Sequence, residues 1–245
     1  MESSTTIGTN RTGVHSSPRD AKKLLEAAEE TVPTSDGDAS ALALVRLAYA
    51  EEADPIGSVP PLTKAQSALK KTAAESGTRA EVLIDKLAQR LAFERSGTRL
   101  YDALLVKHAA SAEQLPNVSL ETLQQLRAEE AQHFLLLSEA LESLGADPTA
   151  QTPGADVVGV EGMGLIQVVC DPRTTFTQAL DAILVAELTD NDGWQTLIGV
   201  AKVAGQDDLA DRFSAALEEE ENHLAQVRTW MSELTTAELK VNATS

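Results

Sequence analysis

Two stretches of this chain carry the same four-residue signature: Glu130-x-x-His133 in RAEEAQHF and Glu220-x-x-His223 in LEEEENHL. Residues three apart on an α-helix share a face, so each signature presents a carboxylate and an imidazole in one direction. Two further apolar stretches are each interrupted by one glutamate, Glu94 in LAQRLAFERSG and Glu187 in LDAILVAELTD. A buried carboxylate without a partner costs several kcal/mol. Four of them at one level of a helical bundle fold only if cations neutralise them. Two divalent ions cancel four glutamates, and two neutral imidazoles complete the ligand set of a carboxylate-bridged dinuclear site. The expected metal ligands, and the residues expected to carry any catalysis, are Glu94, Glu130, His133, Glu187, Glu220 and His223. Oxygen and imidazole donors without thiolate suit iron or manganese, and zinc also binds such sets.

The helices follow from the apolar spacing. The first long one spans about residues 78–111, with the seam Ile84, Leu87, Leu91, Glu94, Thr98, Tyr101, Leu105, His108. Pro116-Asn117 breaks the chain and Ser119 offers a cap. The second long helix runs to Gly145, with Leu123, Leu126, Glu130, His133, Leu137, Leu141 and Leu144 on its seam. Residues 146–172, with two early prolines and several glycines, read as a long connection that carries the chain along the bundle. The third long helix covers about 174–204, with Leu180, Glu187, Asn191, Trp194 and Ile198 inward. The fourth covers about 207–234, with Leu209, Phe213, Ala216, Glu220, His223, Val227 and Trp230 inward. Glu129, Glu218, Glu219 and Glu221 fall beside the seams and read as solvated.

The expected class is therefore all-α: an antiparallel four-helix bundle over residues 77–245, with a long crossover between helices two and three. Residues 1–76 form a separate N-terminal extension. Within it, 1–17 is rich in Ser, Thr and Gly and reads as a mobile arm. Short helices are expected at about 18–31, 40–53 and 62–76, separated by the loop TVPTSDGDAS and the extended PIGSVPP. Such an arm is expected to pack on the bundle or a neighbouring subunit, or to bind a partner.

Composition narrows the function. Aromatic residues are 3% of 245, and Ala and Leu dominate the apolar content, which favours helix over strand. A formal charge of −18, from 38 acidic against 20 basic residues, argues against nucleic-acid or anionic-membrane partners and draws in cations. The lone Cys170 excludes an intrachain disulfide and a Cys-based zinc site, and it reads as a small buried hydrophobe. The N-terminal residues lack the apolar core of a signal peptide, and no uncharged apolar run reaches about 18 residues. A cytoplasmic setting is expected.

A lone Glu-x-x-His is a weak signal, but six candidate ligands in register on four seams are specific. This set, together with the long middle connection, resembles the ferritin-like superfamily over roughly residues 78–235. That group includes ferritins, bacterioferritins, rubrerythrins and dimanganese catalases. The resemblance implies Glu130 and Glu220 as metal bridges, Glu94 and Glu187 as terminal ligands, and two iron or manganese ions acting on dioxygen or peroxide. It also implies self-association as a dimer or larger. Iron storage, or a stress-response bundle with a structural metal, are the alternatives it carries. No rubredoxin-like Cys cluster and no clear fifth helix are present, and Met163 and Met231 lie off the expected haem position, so haem is not expected.

Around the site, Asp190 and Asn191 follow Glu187 by three and four residues. They are candidates to accept the free N–H of a ligand histidine and fix its tautomer, or a surface polar pair. Tyr101 and Trp194 each lie seven residues beyond a seam glutamate, as electron relays or as core. His108 sits two turns further on and reads as a bundle-end residue.

Overall fold

A computed structural model describes residues 8–31, 39–61, 63, 66–75, 77–111 and 115–241. The described residues are helical or irregular, with no strand among them. The chain divides into two compact units, Met1–Pro55 and Ile56–Ser245.

The first unit holds α1 (Pro18–Glu30) and α2 (Ser40–Glu52). Pro18 opens α1 as expected, where its missing N–H costs nothing, and the Ser17 hydroxyl donates to Asp20 at 2.6 Å. Neither helix buries a residue: Leu24, Leu25, Leu44 and Tyr49 are all exposed. The expected loop over 32–38 and the first seven residues of the arm lie outside the described residues.

The second unit holds α3 (Gln66–Glu75), α4 (Ala80–Ser111), α5 (Leu120–Ser143), α6 (Pro153–Glu161), α7 (Met163–Cys170), α8 (Phe176–Val203) and α9 (Asp207–Val241). Local chemistry sets the ends. The Ser119 hydroxyl accepts from the Thr122 N–H, and Thr175 with Gln178 forms a reciprocal capping box. Gly145 and Gly205 adopt φ of 75° and 69° and close α5 and α8. In each case the glycine and the next residue donate back to the last turn, as in Ala146 N–H to Leu141 C=O at 2.8 Å.

The apolar residues form two clusters. One holds Tyr101, Leu104, Leu123, Leu126, Leu180, Ile183, Val227 and Trp230. The other holds Ile84, Leu87, Leu91, Leu137, Leu141, Trp194, Leu197 and Phe213. Along α4 and α9 the chain passes from the second cluster to the first; along α5 and α8 it runs the other way. Hence α5 and α8 are parallel, and the link between them must travel back along the bundle.

The expected plain connection over 146–172 is corrected here: it contains α6 and α7, packed on α4, with α7 also against α8. Pro153, read as part of that connection, is the first residue of α6, capped by the Thr152 hydroxyl. Among the described residues, Pro153–Cys170 alone is long and apolar enough to cross a membrane by composition. It carries Asp156 and Glu161 and is split at Gly162. Cys170 is exposed at the end of α7, not buried as expected, because Val169 takes the inward position. Leu104 rather than Leu105 continues the α4 seam, and Gly97 rather than Thr98 faces inward below it.

Candidate metal centre

Between the two apolar clusters lies one polar layer. Glu94 from α4, Glu130 and His133 from α5, Glu187 from α8, and Glu220 and His223 from α9 meet there, each at most 3% exposed. All six sequence-expected residues come together.

Glu220 is central. Its Oε1 lies 2.6 Å from His133 Nδ1 and its Oε2 lies 3.1 Å from His223 Nδ1. His133 Nδ1 is also 3.9 Å from Glu94, while His223 Nδ1 is 3.6 Å from Glu130 and 3.9 Å from Glu187. The donors fall into overlapping groups whose atoms lie within 4.8 Å of one another: Glu130, Glu187, Glu220 and His223 on one side, Glu94, His133 and Glu220 on the other. Glu94, Glu130, Asp190 and Glu220 form a third.

These contacts are close but misaligned for hydrogen bonding. Both oxygens of Glu94 and Glu220, one oxygen each of Glu130 and Glu187, and both Nδ1 atoms have no hydrogen-bond partner. Inward-pointing buried acceptors left this way are costly in a protein interior. Two divalent cations satisfy them, so the residues present fit a metal pair.

The outward nitrogens are fixed. His133 Nε2 sits 2.8 Å from Glu219 Oε2 on α9, and His223 Nε2 sits 2.8 Å from Glu129 Oε2 on α5. A carboxylate only accepts, so each Nε2 carries a proton and each Nδ1 is left to face inward, where a metal ion would take the place of a second proton. This corrects two expectations. Glu129, and Glu219 although its side chain stays 48% exposed, each hold a ligand histidine rather than standing apart, and Asp190 and Asn191 do not serve the histidines. Asp190 instead pairs with Arg90 at 3.1 Å, and the Asn191 amide donates to the backbone carbonyls of Glu187 and Glu220. The repeated Glu-Glu-x-x-His was the signal in the sequence. Changing Glu219 or Glu129 to Gln is expected to weaken metal affinity about 10–100-fold, read by competition with a chelator.

Arg90 went unanticipated. It is 5% exposed and places Nε 2.9 Å from Glu94 Oε1, with its guanidinium carbon 4.0 Å above the Phe93 ring. Burial opposes its charge, but Asp190 and Glu94 outweigh that and raise its pKa. Arg90 and Asp190 therefore cancel, leaving four carboxylates for two divalent ions. Tyr101 donates to Glu187 Oε1 at 2.5 Å, and burial with the nearby carboxylate raises its pKa, so it stays a neutral donor. Trp194 is fully buried, edge-on to His133 at 5.5 Å and against Phe213. His108 lies at the bundle end, its Nε2 2.9 Å from the Val118 carbonyl.

Two glycines make room. A Cβ on Gly97 would lie 2.0 Å from Glu130 Oε2, and one on Gly193 would lie 1.8 Å from Arg90 Nη1. Gly97→Ala is expected to push Glu130 off the centre and lower metal affinity about 10–100-fold. Gly199→Ala, where nothing lies within 4 Å, is the matched control for titration calorimetry.

No curated protein and no solved structure matches this chain. The Ferritin family model, described as Ferritin-like domain, does match, over residues 84–237. That span takes in α5 and α8 whole, most of α4 and α9, and every residue of the polar layer, and the chain belongs to the ferritin-like family.

Proposed function

We infer that this protein holds two iron ions, with manganese as the alternative, and uses them for redox chemistry on peroxide or dioxygen. The observation that carries this reading is the set of buried, inward-facing donor atoms with no hydrogen-bond partner. Arg90 and the two imidazoles approach several of these oxygens as ion pairs, but three positive groups do not balance Glu94, Glu130, Glu187, Glu220 and Asp190, which leaves a deficit of positive charge for cations to fill. When bound, two ferrous ions supply the two electrons that, with two protons, reduce hydrogen peroxide to two waters.

The chain's own residues prepare that chemistry. Glu130 and Glu220 bring oxygens to both halves of the layer, Glu94 and Glu187 close its two sides, and His133 and His223 add neutral donors. Glu129 and Glu219 hold the imidazoles in one tautomer, and Tyr101 fixes the orientation of Glu187. The two apolar clusters keep bulk water away, which strengthens every charge interaction in the layer.

The test is elemental. Purified protein loaded anaerobically with ferrous ion and then desalted is expected to retain two ions per chain. Glu130→Ala and His223→Ala are expected to lose metal and the absorbance change on adding peroxide together. Unchanged metal content in both variants would refute the assignment.

A further inference from the structure

The layer is approached by cavities on two different faces. On the α5–α9 face, one cavity of about 350 Å³ reaches His133 and Glu219, and another of about 250 Å³ reaches His223, Glu129 and Glu219. Carboxylates sit directly at their inner ends, which suits the arrival of cations. The opposite face has a third cavity of about 250 Å³ between α4, α6 and α8. Its inner wall is of another kind: the Arg90 guanidinium, the bare backbone of Gly193, and Phe93.

We propose that this α4–α6–α8 cavity is the inlet through which hydrogen peroxide, or a neutral hydrogen-bonding molecule of its size, reaches the centre, with Arg90 as its inner contact. The inference rests on the redox reading above and names the substrate route for it. Arg90 faces both ways: it lines the cavity and also reaches Glu94 at 2.9 Å and Asp190 at 3.1 Å. At its inner end the cavity offers a metal cation no carboxylate, only a guanidinium already paired with Asp190 and Glu94. Thr189, Thr196, Lys86 and Gln89 offer hydroxyl, ammonium and amide groups, and Glu161 and Asp192 offer acceptors. Peroxide both donates and accepts, so it exchanges its water contacts for these at little cost, and with Lys86 and Arg90 set against Glu161 and Asp192 the lining carries no net charge to draw in an ion of either sign. Gly193 explains how the guanidinium fits there at all, since any side chain would displace Nη1. An arginine needed only to neutralise Asp190 would require no cavity beside it. Arg90 is a positioning residue in this scheme, not a reacting one.

Thr196 lines the cavity and is exposed, so Thr196→Trp fills the inlet without entering the core. Leu135, exposed and lining the larger cavity of the opposite face, provides Leu135→Trp as the control. Ferrous-loaded protein is mixed with hydrogen peroxide in a stopped-flow instrument. Thr196→Trp is expected to slow peroxide consumption about tenfold with ferrous stoichiometry unchanged, while Leu135→Trp leaves the peroxide rate alone. A second readout needs no metal: in ¹⁵N-arginine-labelled apoprotein, exchange of the Arg90 Nε–H with water is expected to slow severalfold in Thr196→Trp. Slowing by Leu135→Trp only, or unchanged guanidinium exchange in Thr196→Trp, would overturn the inlet. Failure to retain metal in the unmodified chain would instead defeat the redox reading, with the exchange measurement still deciding the route.

Discussion

Replacing Glu220 with alanine is expected to strip the protein of both metal ions, whereas Glu94→Ala and Glu187→Ala each cost about one. Glu220 alone belongs to every donor grouping in the layer and gives one oxygen to each imidazole. Removing it takes a negative charge and a bridging donor from both halves at once. Glu94 groups with His133, and Glu187 with His223, so losing either leaves the other half largely intact. Thermal unfolding gives the scale. At a free concentration 100 times its Kd, each ion stabilises the fold by about 2.7 kcal/mol. For a unit of this size that is about 5–10 °C per ion, or roughly 10–20 °C for two. Glu220→Ala should lose nearly all of that increment, and the other two variants about half. Circular dichroism on the metal-free variants checks that the bundle still forms. Equal loss of metal in all three variants would show that Glu220 has no special place.

Most of the architecture was legible because its signals are local and periodic. A helix seam repeats every three to four residues, and a charged residue falling on the seam stands out against Leu and Ala. Glu94, Glu130, Glu187 and Glu220 were visible for that reason, and the Glu-x-x-His spacing brought the histidines with them. What sequence missed depends on contacts between helices. Arg90 lies four residues before Glu94, where a charged residue usually reads as solvated; its burial depends on Gly193, 103 positions along the chain. Glu129 and Glu219 sit one residue off their seams and become partners only because α5 and α9 run alongside each other, so that each reaches the other helix's histidine. A glycine inside a helix carries no signal of a site by itself, yet Gly97 is where Glu130 needs the space. The crossover helices were hidden by proline and glycine, which mark loops in general but here begin α6 and separate it from α7.

Raising the pH from 6 to 8 is expected to destabilise the metal-free protein and to tighten metal binding. In the metal-free layer, burial works against the charge of His223, but Glu130, Glu220 and Glu187 outweigh it and push its pKa up to about 12. His133 is raised in the same way by Glu220 and Glu219. Burial, reinforced by neighbouring carboxylates, also raises Glu94, Glu187 and Asp190 well above their ordinary values. All five groups therefore bind protons more tightly in the folded state than in the unfolded chain. For the histidines the stabilisation is complete below about pH 6.5 and is lost as pH climbs toward the folded value. For the raised acids the loss begins above the ordinary carboxylate value, where the unfolded chain ionises, and continues until pH reaches the folded value. Both changes lower stability with rising pH, by about 1.4 kcal/mol per pH unit for each excess proton held. Glu220 has the opposite sign: burial tends to raise it, but the two imidazoles hold it at about 2, so its contribution is lost only in acid, outside this window. Metal reverses the trend, because cations take the place of the protons on His133 and His223 and must displace them to bind. Affinity should then rise up to about tenfold per pH unit for each proton released. Calorimetric titration in buffers of different ionisation enthalpy counts those protons directly. The metal-dependent increment in melting temperature should widen between pH 6 and 8 as the metal-free protein melts lower. Binding without proton release, or metal-free stability that rises across this range, would mean the histidines are already neutral and the layer is held together by something other than its charge.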